Sequence, residues 1–248
     1  MKQQFLSQQG STRLILFFCG WGMDEHLLAD VPTGECDLLC CFDYHDLTFD
    51  VSMLEGYKEI TVIAWSLGVW VASNVLPLMN LPITYSIAVN GTLNPIDNEQ
   101  GIPPQIFQGT IDHLDERGLR KFNRRMCNTA EEYEQFMKQA SHRSVNDLKE
   151  ELVCLRDLIL NGREESDCTF KESVENDTVG YASLSSEEEK PRWFWNRVYV
   201  SQTDRIFPCD NQLKAWQGIA PVETLSEGHY CPRLFAELVD AYGQESHQ

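Results

Sequence analysis

Basic residues are scarce in this chain of 248 residues: 20 Lys and Arg stand against 38 Asp and Glu, a formal charge of −18 at pH 7. Such a surface repels nucleic acid and anionic membranes, so neither is expected as a partner, and an acidic protein could dock only on a locally basic patch. Long apolar runs are lacking too. The longest, Leu14 to Cys19 with Trp21 beyond, falls far short of the roughly 20 residues a membrane-spanning helix needs. It has neither the basic flank nor the small-residue cleavage site of a secretion signal, and reads as a buried strand. Paired cysteine spacing is the third absence. Nine cysteines, at positions 19, 36, 40, 41, 127, 154, 168, 209 and 231, include no Cys-x-x-Cys and no neighbouring histidine pattern. A zinc site and a disulfide framework are both unsupported, and most of the cysteines are expected to be buried thiols in a reducing cytoplasm. No metal or cofactor is expected.

What is present is an ordinary globular composition, 42% hydrophobic and 10% aromatic, in a chain long enough for one α/β domain with an inserted subdomain. The reading starts from Ile60 to Val69. Its first half is a short β-branched run, as in a parallel strand buried on both faces. Its second half places Ser66 between Ala64 and Gly68, small residues that let a strand and a helix nearly touch around a strained serine. That is the nucleophile elbow of an α/β-hydrolase, with Ala64 in place of the usual first glycine. A serine that merely caps a helix produces the same string, so the surroundings must decide.

In chain order, residues 1 to 12 form a candidate edge strand, and strands are expected at Leu14–Cys19, Asp37–Phe42, Ile83–Val89, Arg197–Ser201 and Val222–Leu225. Helices are expected at Gly68–Leu78, at about Asn211–Gln217 and at about Pro232–Tyr242, with Pro232 suited to a first turn. This alternation specifies a mostly parallel sheet flanked by helices. Between Gln105 and Asn161 the rhythm breaks. Three helices, Glu116–Met126, Ala130–Ala140 and Val145–Leu160, form an inserted cap. The expected organisation is therefore a core of residues 1–104 and 191–248, a helical cap of 105–161 and an acidic, serine-rich flexible connection of 162–190.

Ser66, Asp204 and His229 occur in the chain order serine, acid, histidine, each directly after an expected strand. An imidazole is what a serine hydroxyl needs to become a nucleophile near neutral pH, and the acid would hold the ring in the right tautomer. The loop Gly20-Trp21-Gly22-Met23-Asp24 and the residue after the serine would supply oxyanion N–H groups from Trp21 and Leu67. Each member has a plainer alternative: a surface histidine, an Asp204–Arg205 loop ion pair, a glycine turn capped by Asp24. In the helix at Glu116–Met126, Arg117, Arg120, Lys121, Arg124 and Arg125 share one face. They form either a landing stripe for an acidic or phosphate-bearing partner, or a solvated face paired with Asp115, Glu131 and Glu132.

Phe17-Phe18-Cys19-Gly20-Trp21-Gly22-Met23-Asp24, Ala64-Trp65-Ser66-Leu67-Gly68, Asn90-Gly91-Thr92 with Pro95-Ile96 and Gly101-Ile102-Pro103, and Asp204-Arg205-Ile206-Phe207-Pro208 with Asn211-Gln212 together resemble the pimeloyl-acyl-carrier-protein methyl ester esterases of biotin synthesis, BioG-type branch. The likeness covers most of the chain apart from residues 162–190. It implies hydrolysis of the methyl ester on a pimeloyl chain borne by the phosphopantetheine of acyl carrier protein, with Ser66 as nucleophile, His229 as base, Asp204 as orienting acid and Trp21 and Leu67 as oxyanion donors. Cys19 stands where many hydrolases have histidine. Acyl carrier protein is small and acidic, which gives the basic stripe a partner. A cytoplasmic monomer is expected. The competing expectations are a general short-chain carboxylesterase or thioesterase, and a catalytically silent hydrolase fold that binds a ligand.

Overall fold

In the computed structural model, residues 1–171 and 195–244 are described. Seven strands make one sheet: β1 (Lys2–Ser7), β2 (Arg13–Phe18), β3 (Asp37–Phe42), β4 (Glu59–Trp65), β5 (Ile83–Val89), β6 (Arg197–Ser201) and β7 (Val222–Leu225). Their spatial order is β1-β3-β2-β4-β5-β6-β7. All neighbours pair in parallel except β1, which runs antiparallel to β3 along one edge. Every residue of β3 is buried, and β2 is buried from Leu14 on. These strands read as unbroken apolar runs because helices or cap cover the sheet, leaving no solvated face to demand alternation. Helix α1 (Leu67–Val75) packs on β2 and β4, α6 (Cys209–Trp216) on β6, and α7 (Pro232–Gly243) on β2. This is the α/β-hydrolase fold.

Between β5 and β6 lie α2 (Pro104–Asp112), α3 (Glu116–Met126), α4 (Ala130–Lys138) and α5 (Val145–Lys171). Two have well-made N-termini. The Asp115 carboxylate accepts from Gly118 N at 2.7 Å to start α3, and Thr129 and Glu132 form a reciprocal capping box at α4, satisfying amides that have no intrahelical acceptor. Helix α2 was not expected: Pro103, Pro104 and Gly109 mask its periodicity. The last turn expected of α1 is instead a short 3-10 turn, Leu76–Leu78, tightened where Pro77 interrupts the helical hydrogen bonds. Helix α5 runs past Leu160 to Lys171, into the span expected to be a flexible connection. The remainder of that span, up to residue 190, lies outside the described residues.

Among the described residues no helix is long and apolar enough to cross a membrane. Cys19, Cys36, Cys40, Cys41, Cys127 and Cys231 are buried free thiols, and Cys154 and Cys209 are half-buried ones. Burial pushes the Cys19 and Cys41 thiols well up from their ordinary value, so they behave as small apolar groups.

Candidate active site

The parallel register brings the carboxyl ends of β2, β4, β6 and β7 to one edge of the sheet, where ligands of open α/β sheets bind. Ser66 follows β4 at once, with φ +59° and ψ −129°. A non-glycine residue held there stores about 1–3 kcal/mol of strain, sustained because the surroundings leave no alternative. A side chain at Gly68 would strike the carbonyl oxygens of Phe18 and Cys19, and one at Gly91 would strike that of Ser66. Ser66 N donates to Val89 O at 2.9 Å, fixing the elbow to β5. Ala64, fully buried, is paired with Phe18 and Ala88.

His229, on the loop after β7, lies with Nε2 2.9 Å from Ser66 Oγ and Nδ1 2.8 Å from Asp204 Oδ2. All three residues are buried, at 6%, 1% and 9% exposure for Ser66, His229 and Asp204. A carboxylate can only accept, so Nδ1 carries the proton and Nε2 faces the serine as the acceptor. The Asp204 carboxylate is held on both oxygens. Oδ1 accepts from Ile206 N at 2.7 Å and Phe207 N at 2.9 Å, and Oδ2 also accepts from Gln212 Nε2 at 3.1 Å. It is therefore not spent on an ion pair with Arg205. The ring is positioned through its own backbone. His229 O accepts from Trp65 Nε1 at 2.9 Å and from Asn90 Nδ2 at 3.0 Å, while Asn90 Oδ1 accepts from Ser201 N at 2.7 Å.

Leu67 opens α1, so its N–H has no acceptor within the helix. Trp21 lines the same cavity as Ser66, Leu67 and His229. The Trp21 loop is fastened to the cap. Trp21 Nε1 donates to Leu148 O at 2.8 Å, and Gly22 N donates to Glu151 Oε2 at 3.3 Å. Glu151, wholly buried, also accepts from Tyr44 N at 2.9 Å and from Arg143 Nη1 at 2.8 Å. Arg143 in turn reaches Asp147 at 2.6 Å and Asp43 at 3.2 Å. Burial pushes the Glu151 carboxyl up from its ordinary value, and Arg143 pulls it back. Of these supports, Asn90 and Gln212 were visible in the sequence only as members of motifs, and Arg143 and Glu151 carried no signal.

The five cations of α3 line one shallow depression. Arg117, Arg120, Lys121 and Arg125 are exposed, and Arg124 is half-buried. Of the carboxylates expected to neutralise them, Asp115 caps α3 while also facing Arg117 and Arg120, Glu131 faces Arg124, and Glu132 closes the box of α4. Arg120 pairs loosely with Glu116 at 3.9 Å, Arg125 donates to Arg205 O at 2.6 Å, and Arg124 donates to Cys127 O at 2.9 Å. Arg125 is also part of the wall of the Ser66 cavity.

The sequence profile of the family described as "Pimeloyl-ACP methyl esterase BioG" matches residues 1–174. The crystal structure of BioG from Haemophilus influenzae superposes with a TM-score of 0.76 at 32% identity, covering 95% of this chain and 97% of that one. An esterase from Exiguobacterium antarcticum shares the fold at a TM-score of 0.65 and 12% identity, over 98% of this chain and 95% of that one. A curated relative, "Malonyl-[acyl-carrier protein] O-methyltransferase" of Bacteroides fragilis, is 41% identical over 226 residues. That match spans 90% of this chain but only 40% of the relative, well under half its length. On the profile match and the full-length likeness to a solved BioG, the chain belongs to the BioG family of pimeloyl-ACP methyl esterases.

Proposed function

We propose that this chain hydrolyses the methyl ester of pimeloyl-acyl carrier protein methyl ester, releasing methanol and pimeloyl-acyl carrier protein, through an acyl-enzyme on Ser66. The observation that carries the reading is the buried relay in which His229 bridges Ser66 at 2.9 Å and Asp204 at 2.8 Å. Ser66 Oγ adds to the ester carbonyl as its proton passes to His229 Nε2, and Asp204 steadies the imidazolium through Nδ1–H. The N–H groups of Trp21 and Leu67 meet the oxyanion, an interaction whose loss typically lowers the rate about 10²- to 10³-fold per donor. Collapse breaks the bond to the methoxy oxygen, which takes the proton from Nε2 and leaves as methanol. A water molecule then attacks the Ser66 ester with the same base. Its products are the free distal carboxylate and the regenerated serine.

The family description supports a carrier-bound methyl ester as substrate. The methyltransferase named among the relatives acts, by its name, on an acid borne by the same kind of carrier. Most of that protein lies outside the match, so methyl transfer is not carried over to this chain. The α3 stripe supports docking of an acidic carrier, with Arg117, Arg120, Lys121, Arg124 and Arg125 as its contacts.

The test is methanol release from the carrier-bound ester by the wild type and by Ser66→Ala, together with fluorophosphonate labelling of Ser66. Labelling and turnover that both vanish in Ser66→Ala support the mechanism. Unlabelled wild type would leave a silent binding fold, and a preference for small nitrophenyl esters in kcat/KM would leave a general esterase.

A further inference from the structure

Three hollows adjoin one another along the cap. The cavity over Ser66 holds about 30 Å³, and a groove of about 320 Å³ lies beside it between α2 and α3. Ile106, Thr110, Phe122 and Arg125 line both, so a single layer of side chains separates them. At the groove's outer side, Lys121 and Arg125 also belong to the cationic depression. The cavity over Ser66 is the tighter of the two, and the groove that shares its wall is the adjoining room for whatever the acyl chain is tethered to. From Gln105 to His113 the α2 face of the groove extends about 12 Å at 1.5 Å per residue, the scale of a single extended chain rather than a folded segment.

Gly109 marks the floor of this groove. It sits inside α2, where glycine is less favourable than alanine, and its φ is not in the left-handed region. A Cβ built on it meets nothing within 4 Å. Neither backbone conformation nor packing explains the residue. Gly118, across the groove, differs: a side chain there would strike His113 O. Clearance over the helix backbone is what Gly109 provides.

We propose that the groove between α2 and α3 is the path of the arm that tethers the acyl group to its carrier. The occupant is an unbranched, amide-bearing chain ending in a phosphodiester. It passes over Gly109, and its phosphate lies against Lys121. This rests on the carrier-bound ester as substrate and adds the route by which that substrate reaches Ser66. Charge complementarity commits the groove to this occupant, because one side shares a wall with the Ser66 cavity and the other meets cations in a chain with net charge −18.

The experiment compares wild type, Gly109→Ala and Gly109→Phe on the carrier-bound methyl ester and on a small nitrophenyl ester. The expected result is a ratio of the two kcat/KM values that falls at least tenfold in Gly109→Phe and stays near wild type in Gly109→Ala. A ratio within twofold of wild type in a folded Gly109→Phe overturns the route and leaves the proposed function standing. Wild type that fails on the carrier-bound ester overturns both. Should Gly109→Phe not fold, the wild type is assayed on the methyl ester linked to phosphopantetheine and to the same arm without phosphate. The phosphorylated arm is expected to be favoured at least fivefold in kcat/KM, an advantage abolished by Lys121→Glu. Equal rates for the two arms, or an advantage untouched by Lys121→Glu, refute the route.

Discussion

Glu151 is the sharpest place to perturb the site without touching a reacting atom. Its carboxylate, wholly buried on α5, joins Gly22 N, Tyr44 N and Arg143. Replacement by alanine deprives two buried amides of their acceptor and removes one anion from Arg143, which is itself only 9% exposed in its side chain. Breaking a buried ion pair from one side typically costs 3–5 kcal/mol, and the low end, about 3 kcal/mol, is expected because Asp43 and Asp147 still face Arg143. At about 2–4 °C per kcal/mol for a chain of this size, the melting temperature should fall by about 6–12 °C. The second consequence is catalytic. The Trp21 loop loses one of its hydrogen bonds to the cap, keeping those between Trp21 and Leu148 and between Asp24 and His142, so kcat should drop while KM for a small ester changes little. Thermal denaturation followed by circular dichroism gives the first readout, and steady-state kinetics gives the second. Glu151→Gln keeps an acceptor oxygen and should recover much of the loop geometry. An unchanged melting temperature together with unchanged kcat in Glu151→Ala would refute the account of the cap as the support of that loop.

Three further outcomes are expected. Asp204→Asn should lower kcat by about 10⁴-fold, because the amide favours the wrong imidazole tautomer; near wild-type turnover on nitrophenyl esters would exclude Asp204 as the orienting acid. In Gly68→Ala the added methyl meets the Phe18 and Cys19 carbonyls, so the elbow should open and fluorophosphonate labelling of Ser66 should disappear, and labelling at the wild-type rate would contradict the packing described. Arg117→Glu combined with Arg120→Glu, both exposed on α3, should cut kcat/KM for the carrier-bound ester at least tenfold at low salt, with the difference shrinking as salt screens the attraction. No change at low salt would exclude the stripe as a docking face.

Much of the core was legible because its signals are local. The bounds of β3, β5, β6 and β7 follow from β-branched or apolar runs stopped by polar turns, and α3 from a capping Asp115 before a periodic run. The chain order of Ser66, Asp204 and His229 at strand ends pointed to a site that the fold brings together within hydrogen-bonding distance. What escaped depends on partners distant in the chain. Asn90 meets His229 and Glu151 meets Tyr44 across more than a hundred residues, and no window of sequence contains such a contact. Helix α2 escaped because two prolines and Gly109 dilute its pattern. The length of α5 escaped because Gly162 and an acidic composition read as a stop, although a helix tolerates both at modest cost.

The double grip of Trp65 and Asn90 on the carbonyl of His229 has an evolutionary corollary. The imidazole is hung from the sheet by its main chain as well as held at its ring by Asp204 and flanked by Phe207. Exposed flanks such as Ser226 are thereby released to drift among relatives. Divergence in that loop should be a poor guide to whether a given member still works, and the identity of the residue after β5 a better one.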